Sequence, residues 1–413
     1  MRLIVDTVPH LLSFSTFILA GISADPHAAQ LNCPPDADMD TRVTSLHLPG
    51  LGEILCVAVA SNGKRLVCTD SALYSLSASG LPTLVAGHST ELGFKDGQGS
   101  AARFNGLFGI AVDGTDIVLV CDSYNHSLRK VARNGVVSTL AGNQTRGYVD
   151  GIGDGTCFNH PRGIVVHANG TIFVTDSENN CVRQVAVDGA VSTLAGNGKK
   201  QKGFADGQGS RARFHTPSGL ALDMDGHLIV ADSNNHCIRR VTIAEGRVTT
   251  VAGSHEHGGR VSVDGEGAGA RFSIPTGITV DGNNNIIVAE FANHHIRMIA
   301  GAAARVTTVV GSAQSGLVHA MGTSMGTSIG TSICLHKPRA LALNECGHLL
   351  VADYNPGCLW VVEASLAPPH QVLGRVLLLQ ISARSSRTQS CACSSRTQSC
   401  ACSSRTQSCA CSR

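Results

Sequence analysis

Six short apolar strands along the chain each end in or beside an acidic residue. These acids are Asp70, Asp122, Asp176, Asp232, Glu290 and Asp353, with successive spacings of 52, 54, 56, 58 and 63 residues. Self-similarity at roughly this period is typical of solenoids and propellers. The chain therefore contains six copies of one structural unit, and the contents of a copy decide between the two architectures.

The fourth copy, residues 217–253, shows those contents. Its apolar residues form four runs, and turn signals such as Asp225-Gly226 separate them. The runs are short, rich in Val and Ile, and show no helical period, so they predict four strands of one antiparallel blade. Six such blades around an axis make a β-propeller, which manages exposed strand edges by radial repetition.

The second and third strands of a copy, with the turn between them, carry a family resemblance. The segments "GLALD" with "HLIVADSNNHCIRRV", and "GIAVD" with "IVLVCDSYNHSLRKV", resemble NHL repeats. That family joins a Gly-apolar-Ala-Val-Asp strand to an Asp-Ser-x-Asn-His turn and an Ile-Arg-Lys strand. The match extends over residues 41–364 and is weakest around Asp70 and Asp353. The resemblance implies an all-β fold, a six-bladed NHL β-propeller.

The N-terminal strand is predicted to close the last blade. The segment "RVTSLHLPG", from Arg42 to Gly50, resembles the outer strands "RVTTVAG" and "AVSTLAG" but has no inner strands before it. The last copy has inner strands and no good outer strand. Pairing the two leaves no blade with an unpaired edge inside the ring.

The ends of the chain differ in composition from the ring. We predict a leader at residues 1–40, either a signal peptide or disordered, the NHL β-propeller at 41–365, and a disordered low-complexity tail at 366–413 with three SSRTQSCAC copies. The leader has a single early arginine, Arg2, and an acid, Asp6, which argue against secretion. Its apolar stretch is too short for a membrane span, and none is expected.

Cysteine placement favours the cytoplasm over secretion, although the sequence leaves the compartment open. Cys181, Cys237 and Cys358 each lie five residues beyond the repeated acid, in different blades. A disulfide requires Cα atoms within about 7 Å, so we expect free thiols. The net charge of +2 argues neither for nor against nucleic-acid binding. We expect a monomeric propeller.

Residues that recur at one position of the repeat are interpreted as scaffold, since a chemical site should break the six-fold pattern. We expect the six acids to accept hydrogen bonds from backbone N–H groups of the following turn. His126, His236 and His294 should hydrogen-bond within or between blades. The recurring basic residues of the third strand are expected on a solvated blade flank. No catalytic residue, metal or cofactor is predicted.

Positions that vary between copies are the better site candidates. One such position lies at the start of the innermost strand of blades two to six, where it should surround the mouth of the central channel. Its residues are Phe108, Arg162, Ser218, Thr276 and Arg339. A second group precedes the Phe of each long loop on the same face, and is expected to pair with a loop Asp and to contact a partner: Arg103, Arg213 and Arg271.

The family resemblance implies several functions. NHL-like propellers include protein-interaction platforms, RNA-binding modules and a metal-dependent lyase, and gluconolactonase-like propellers are more distant metal enzymes. The expected function is a non-enzymatic platform for a protein or peptide partner, bound on the face with the long loops. The alternatives are an RNA-binding module, a metal-dependent lyase or lactonase, and the propeller arm of a ubiquitin-ligase adaptor.

Overall fold

The computed structural model describes residues 42–48, 50–198, 201–256, 261–311, 335–354 and 357–363. The predicted leader and tail lie outside these residues. Across the described ranges the chain forms strands and short 3₁₀ turns, with no α-helix. The 3₁₀ turns are Gly99–Ala101, Ser123–Asn125, Gly153–Gly155, Ser177–Asn179, Gly209–Arg211, Ser233–Asn235 and Gly267–Gly269.

The strands form six antiparallel sheets, which we name blades 1 to 6 in chain order. Blade 1 contains β2 (Cys56–Val59), β3 (Arg65–Cys68), β4 (Ala72–Leu76) and β5 (Pro82–Gly87). Blade 2 contains β6 (Gly97–Gln98), β7 (Leu107–Val112), β8 (Val118–Asp122), β9 (Ser127–Val131) and β10 (Val136–Ala141). Blade 3 contains β11 (Gly151–Ile152), β12 (Pro161–Val166), β13 (Ile172–Asp176), β14 (Cys181–Val185) and β15 (Ala190–Gly196).

Blades 4 to 6 repeat this arrangement. Blade 4 contains β16 (Gly207–Gln208), β17 (Pro217–Leu222), β18 (Leu228–Asp232), β19 (Cys237–Val241) and β20 (Arg247–Gly253). Blade 5 contains β21 (Gly265–Glu266), β22 (Pro275–Val280), β23 (Ile286–Glu290), β24 (His295–Ala300) and β25 (Arg305–Val310). Blade 6 contains β26 (Pro338–Leu343), β27 (Leu349–Asp353), β28 (Cys358–Glu363) and β1 (Arg42–His47), and β1 pairs antiparallel with β28.

The innermost strands form a closed ring around a central channel. Each packs beside the innermost strands of two neighbours, and β2 packs beside both β7 and β26. Glycines permit this close approach: a Cβ at Gly163 would lie 2.2 Å from the Ser218 carbonyl oxygen, and one at Gly219 would lie 2.0 Å from that of Thr276. The predicted six-bladed, all-β propeller is therefore confirmed.

A short strand within each long loop was not predicted. β6, β11, β16 and β21 each pair with the outer strand of the blade that follows the loop. Each loop therefore covers the outer edge of its blade before the chain enters the innermost strand. The predicted loop phenylalanines, such as Phe158 and Phe214, are fully buried between adjacent blades.

The apolar core is divided among the interfaces between blades. Each buried cluster combines residues of two neighbouring blades, as where Leu119 of blade 2 packs with Phe158 and Val174. Cys181 and Cys237 are free thiols in buried strands and Cys358 is a free, half-buried thiol, as predicted. Cys346, outside that set, is disulfide-bonded. In the described part of the chain no helix is long and apolar enough to cross a membrane.

Candidate binding site at the channel mouth

The five predicted channel residues line one cavity on the ring axis. Its volume is about 110 Å³, and its lining includes Phe108, Arg162, Ser218, Thr276 and Arg339. Each is the second residue of an innermost strand. The first residue of that strand pairs with the acid that ends the next strand, as Leu107 pairs with Asp122. The cavity therefore opens on the face that carries the long loops. Isoleucines and leucines of the same strands form its deeper wall.

Two arginines and one aromatic ring dominate this cavity. The guanidinium carbon of Arg339 lies 4.2 Å from the centre of the Phe108 ring, and that of Arg162 lies 5.8 Å from it. Neither guanidinium forms an ion pair or side-chain hydrogen bond with any described residue. Both arginines line the channel and lie near the same aromatic ring, a cation–π arrangement.

Burial governs the electrostatics of this pair. It lowers the pKa of Arg339 to about 10, and the positive charge of Arg162 acts in the same direction. The pKa of Arg162 is also lowered by burial, while Glu178 opposes the shift through space. Arginine at this pKa is still charged at neutral pH, so the channel mouth carries two positive charges with reduced hydration.

The hydroxyl groups of Ser218 and Thr276 contribute less to recognition than expected. Ser218 is buried, and its Oγ lies 2.5 Å from the Oγ of Ser233 and 3.4 Å from the Pro275 carbonyl oxygen. The Thr276 hydroxyl donates to the Pro338 carbonyl of the next blade at 3.3 Å. Both groups are used in joining neighbouring blades, so the chemistry of the mouth comes from Phe108 and the arginines.

Aromatic residues of the adjacent turns extend this surface. Tyr124 is 50% exposed and packs edge-on against Phe108, with ring centres 5.3 Å apart. Lys337 places its ammonium group 5.5 Å from the rings of both Phe291 and Tyr354. The sequence prediction omitted these residues. Tyr124 and Tyr354 do vary between copies, which is the signal that could have found them.

The repeated acids are scaffold, and their partners form a buried cluster in blades 2 to 5. Seven residues after each acid lies a fully buried arginine that pairs with it, and the same arginine also pairs with an acid of the long loop. The clusters are Asp122–Arg129–Asp96, Asp176–Arg183–Asp150, Asp232–Arg239–Asp206 and Glu290–Arg297–Asp264. Each arginine also stacks on the buried loop phenylalanine of its blade.

The cluster of blade 3 shows the geometry. Arg183 donates to Asp176 at 2.8 Å and to Asp150 at 2.5 Å, and its guanidinium carbon lies 5.1 Å from the Phe158 ring centre. Asp176 also accepts from the Asn179 side chain at 2.8 Å. Burial raises the pKa of Asp176 to about 6, against the opposing effect of these donors. Such charge-assisted bonds fix the loop to the blade.

Two predictions about these residues were wrong in detail. The backbone N–H bound by the acid belongs to the preceding loop, as with Asn159 and Asp176 at 2.7 Å, and the following turn contributes an asparagine side chain in place of the predicted backbone N–H. Arg129 and its equivalents are buried, while only neighbours such as Lys130 remain on the flank. The arginine is buried because the acid of the long loop forms an ion pair with it at the edge of the blade, as Asp96 does with Arg129.

The first and last copies depart from the pattern. Asp70 is exposed, whereas the other five acids are fully buried. In blade 6 the residue seven places after the acid is Trp360, whose Nε1 donates to Asp353 at 2.9 Å.

The loop arginines do not pair as predicted. Arg103 forms its ion pair with Glu91 at 2.6 Å, while the loop acid Asp96 is bound by Arg129. Arg213 and Arg271 are exposed on the long loops. None of the three lines the channel cavity. They are a separate set of basic residues on the loops, and a partner-binding role for them stays a prediction.

The histidines join neighbouring blades, as predicted. The Nδ1 atom of His126 accepts from the backbone N–H of His160 at 3.2 Å, and that of His294 accepts from Lys337 at 3.0 Å. His126 has a left-handed backbone with φ of 51°, and Asn180 holds the equivalent position in blade 3 with φ of 56°. Across the described ranges, no three His, Cys, Asp or Glu side chains are grouped as metal ligands.

Comparison with known proteins agrees with the fold. The family model "NHL repeat" matches residues 158–185, 214–241 and 272–297. Protein SUPPRESSOR OF QUENCHING 1, chloroplastic, of Arabidopsis thaliana is 27% identical over 300 residues, which are 70% of this chain and 28% of that protein. NHL repeat-containing protein 2 of Bos taurus is 28% identical over 295 residues, which are 64% of this chain and 39% of that protein.

Solved structures share the architecture at low sequence identity. An auxiliary nutrient binding protein from Bacteroides ovatus superposes with a TM-score of 0.57 at 12% identity, covering 79% of this chain and 77% of that one. This likeness concerns the fold alone. The chain spans less than half the length of the curated relatives described above. The chain therefore contains NHL repeats, and they lie within a ring of six blades.

Proposed function

We propose that this chain is a non-enzymatic platform that binds a protein or peptide partner on the face carrying the long loops. The observation that supports it is the gathering of non-repeated residues at the channel mouth. Phe108, Arg162 and Arg339 occupy a position at which blades 4 and 5 have Ser218 and Thr276, so its residue type is not repeated around the ring. The repeated residues of the same face are used in holding loops and blades together. Residues that differ between copies on a rigid scaffold can provide specificity for a partner.

The composition of this mouth suits a protein partner. Aromatic and arginine side chains are enriched among residues that dominate binding energy at protein interfaces. Tyr124 is half exposed and Phe108 lies between it and the two arginines. Two aromatic rings and two unpaired guanidinium groups therefore offer a preorganised surface of mixed polarity.

The test is capture of partners by the purified full-length chain from a lysate of its source cells, read by mass spectrometry. Each capture is repeated with nuclease and with a metal chelator. We expect a discrete protein that survives both treatments and falls at least about tenfold with Phe108→Ala, Arg162→Ala and Arg339→Ala combined. The matched control is Arg247→Ala, an exposed arginine on outer strand β20.

The other functions correspond to other outcomes. Loss of the captured material on nuclease treatment would favour RNA binding, and loss with chelator would favour a metal-dependent propeller enzyme. Recovery of ubiquitin-ligase components would favour an adaptor arm. A partner retained equally by the triple variant and the control would contradict binding at the channel mouth.

A further inference from the structure

Within the described ring, the buried arginines of the blades and the half-buried arginines of the channel mouth form two groups. Arg129, Arg183, Arg239 and Arg297 each bind two carboxylates. Arg162 and Arg339 bind none in the described part of the chain. The arginines that hold loops in place are therefore paired with acids, whereas the two channel arginines have no acidic partner among the described residues.

Two positive charges that have no ion-pair partner among the described residues are unfavourable at the channel mouth. A desolvated charge without a partner destabilises a folded protein, and two like charges on one ring wall add repulsion. Glu178 and Asp70 influence the two arginines only through space and form no ion pair with them. An anion entering the channel would relieve both effects, which gives it a favourable binding energy that a paired arginine could not offer.

The geometry of the mouth restricts the anion. The guanidinium carbons of Arg339 and Arg162 lie 4.2 and 5.8 Å from the Phe108 ring centre, and the cavity of about 110 Å³ has room for one small group with its apolar stem. Isoleucines and leucines below the mouth would contact that stem. Arginine binds planar carboxylates through two parallel hydrogen bonds, and its planar side chain keeps it positioned for them.

We propose that Arg162 and Arg339 form a carboxylate-binding site at the channel mouth, which receives an acidic side chain or the terminal carboxylate of a peptide segment of the partner. The inference rests on the proposed platform function and names the chemistry that its partner presents. Tyr124 and Phe108 would pack against the flanking residues of that segment.

Three fluorescent hexapeptides test this with the full-length chain, measured by anisotropy. The first has one internal glutamate and blocked ends, the second has a free C-terminal carboxylate and no acidic side chain, and the third is blocked with glutamine for glutamate. We expect binding of the first or the second, which identifies the source of the carboxylate, and none of the third. Arg162→Met and Arg339→Met should each weaken binding roughly 10-fold to 100-fold, the effect of losing a charge-assisted pair.

Two results would overturn the site. One is that neither carboxylate peptide binds more tightly than the glutamine peptide, and the other is displacement of the bound peptide by inorganic phosphate at micromolar concentration, which would indicate a phosphate site. Arg247→Met is the matched surface control and should bind like the unaltered chain.

Thermal unfolding without ligand gives a second readout. If Arg339 had a structural role, its replacement would lower the Tm, whereas the proposed site predicts no fall. Arg339→Met should raise the Tm or leave it unchanged, because it removes an unpaired charge. Arg239→Met should lower the Tm by several degrees, since it leaves Asp232 buried without its partner. A fall with Arg339→Met as large as that with Arg239→Met would assign Arg339 to the scaffold and overturn the proposal.

The peptide and capture experiments test the carboxylate site and the platform function independently. If the Arg162→Met/Arg339→Met double variant captures the cellular partner as well as the unaltered chain, the platform stands and the carboxylate site is overturned. If the unaltered chain binds a carboxylate peptide yet captures no partner, the site stands and the platform is overturned.

Discussion

At the scale of single residues, the position seven places after the repeated acid shows how one scaffold tolerates different chemistry. Blade 3 places Arg183 there, which binds one acid of the blade and one of the loop. Blade 6 places Trp360 there, whose indole N–H satisfies one oxygen of Asp353. This position requires a buried hydrogen-bond donor directed at the acid. Arginine has several N–H donors and therefore also binds the carboxylate of the loop, whereas the tryptophan indole has one.

His126 titrates in a way that should make one blade interface sensitive to acid. Burial lowers its pKa to about 4, and the charges of His160 and Arg146 act in the same direction. An unfolded histidine titrates near 6.5. Because the folded value is the lower one, the contribution of the neutral ring is complete above about pH 6.5 and falls as the pH drops toward 4.

We therefore predict that His126→Asn stabilises the protein only under acidic conditions. Asn180 shows that asparagine adopts this left-handed backbone and accepts the equivalent hydrogen bond from Thr216. The variant should match the unaltered chain within about 0.5 kcal/mol at pH 7.5. At pH 5 it should be more stable by on the order of 1 kcal/mol, with solvent screening allowed for.

Urea unfolding at both pH values, followed by circular dichroism of the whole ring, measures this effect. His47→Asn, at an exposed position of β1, is the control and should show no gain at pH 5. Parallel stability curves for His126→Asn and the unaltered chain would contradict the prediction.

At the scale of strands, the sequence predicted those with a clear pattern and missed those without one. In the four runs of each copy the apolar residues alternate with polar ones or are consecutive, and this pattern predicted the strands. β6 and its equivalents are two residues long and begin with glycine, so neither periodicity nor propensity indicated them. Their pairing depends on the outer strand of a blade that follows later in the chain.

The site was predicted in part for a related reason. Variation between copies identified Arg162 and Arg339, which line the cavity as expected. It missed the buried cluster around Arg129, since an arginine on an alternating strand normally faces solvent. The spacing carries the missing signal: the arginine lies 7 residues after one acid and 33 after the other in all four blades, although the copies differ in length. Which acids meet that arginine is a property of the folded loop.

The glycines of the innermost strands should control how closely neighbouring blades pack. A Cβ at Gly163 would lie 2.2 Å from the Ser218 carbonyl oxygen, and Thr175 bridges the same two residues by hydrogen bonds. Gly163→Ala would force the neighbouring backbone away, so we predict a loss of roughly 1–3 kcal/mol in unfolding free energy. Urea unfolding measures it.

Gly155→Ala is the matched control for this change. Gly155 ends a 3₁₀ turn of the long loop, and a Cβ there would meet no atom within 4 Å. The control should change stability by less than about 0.5 kcal/mol. If both variants unfold alike, the close approach of the inner strands is not what the glycine provides.

At the scale of the whole molecule, the pairing of β1 with β28 joins the two ends of the described ring in blade 6. Val43 packs against the cluster between blades 5 and 6, and Leu46 packs against the cluster between blades 6 and 1. One strand from the start of the propeller therefore contributes to two interfaces of its last blade. Since every blade in a closed ring has two neighbours, loss of one interface weakens support for the rest.

We predict that Val43→Asp with Leu46→Asp lowers the unfolding free energy by roughly 2–4 kcal/mol, because two carboxylates would replace apolar contacts at both interfaces. The transition should also broaden, as blades 6 and 1 separate before the remaining blades unfold. Thr44→Asp, at an exposed position of the same strand, is the control and should unfold like the unaltered chain. Urea unfolding followed by Trp360 fluorescence and by circular dichroism distinguishes the cases, since Trp360 reports on blade 6 alone. Coincident, unshifted transitions in the double variant would mean that the ring holds together without the N-terminal strand.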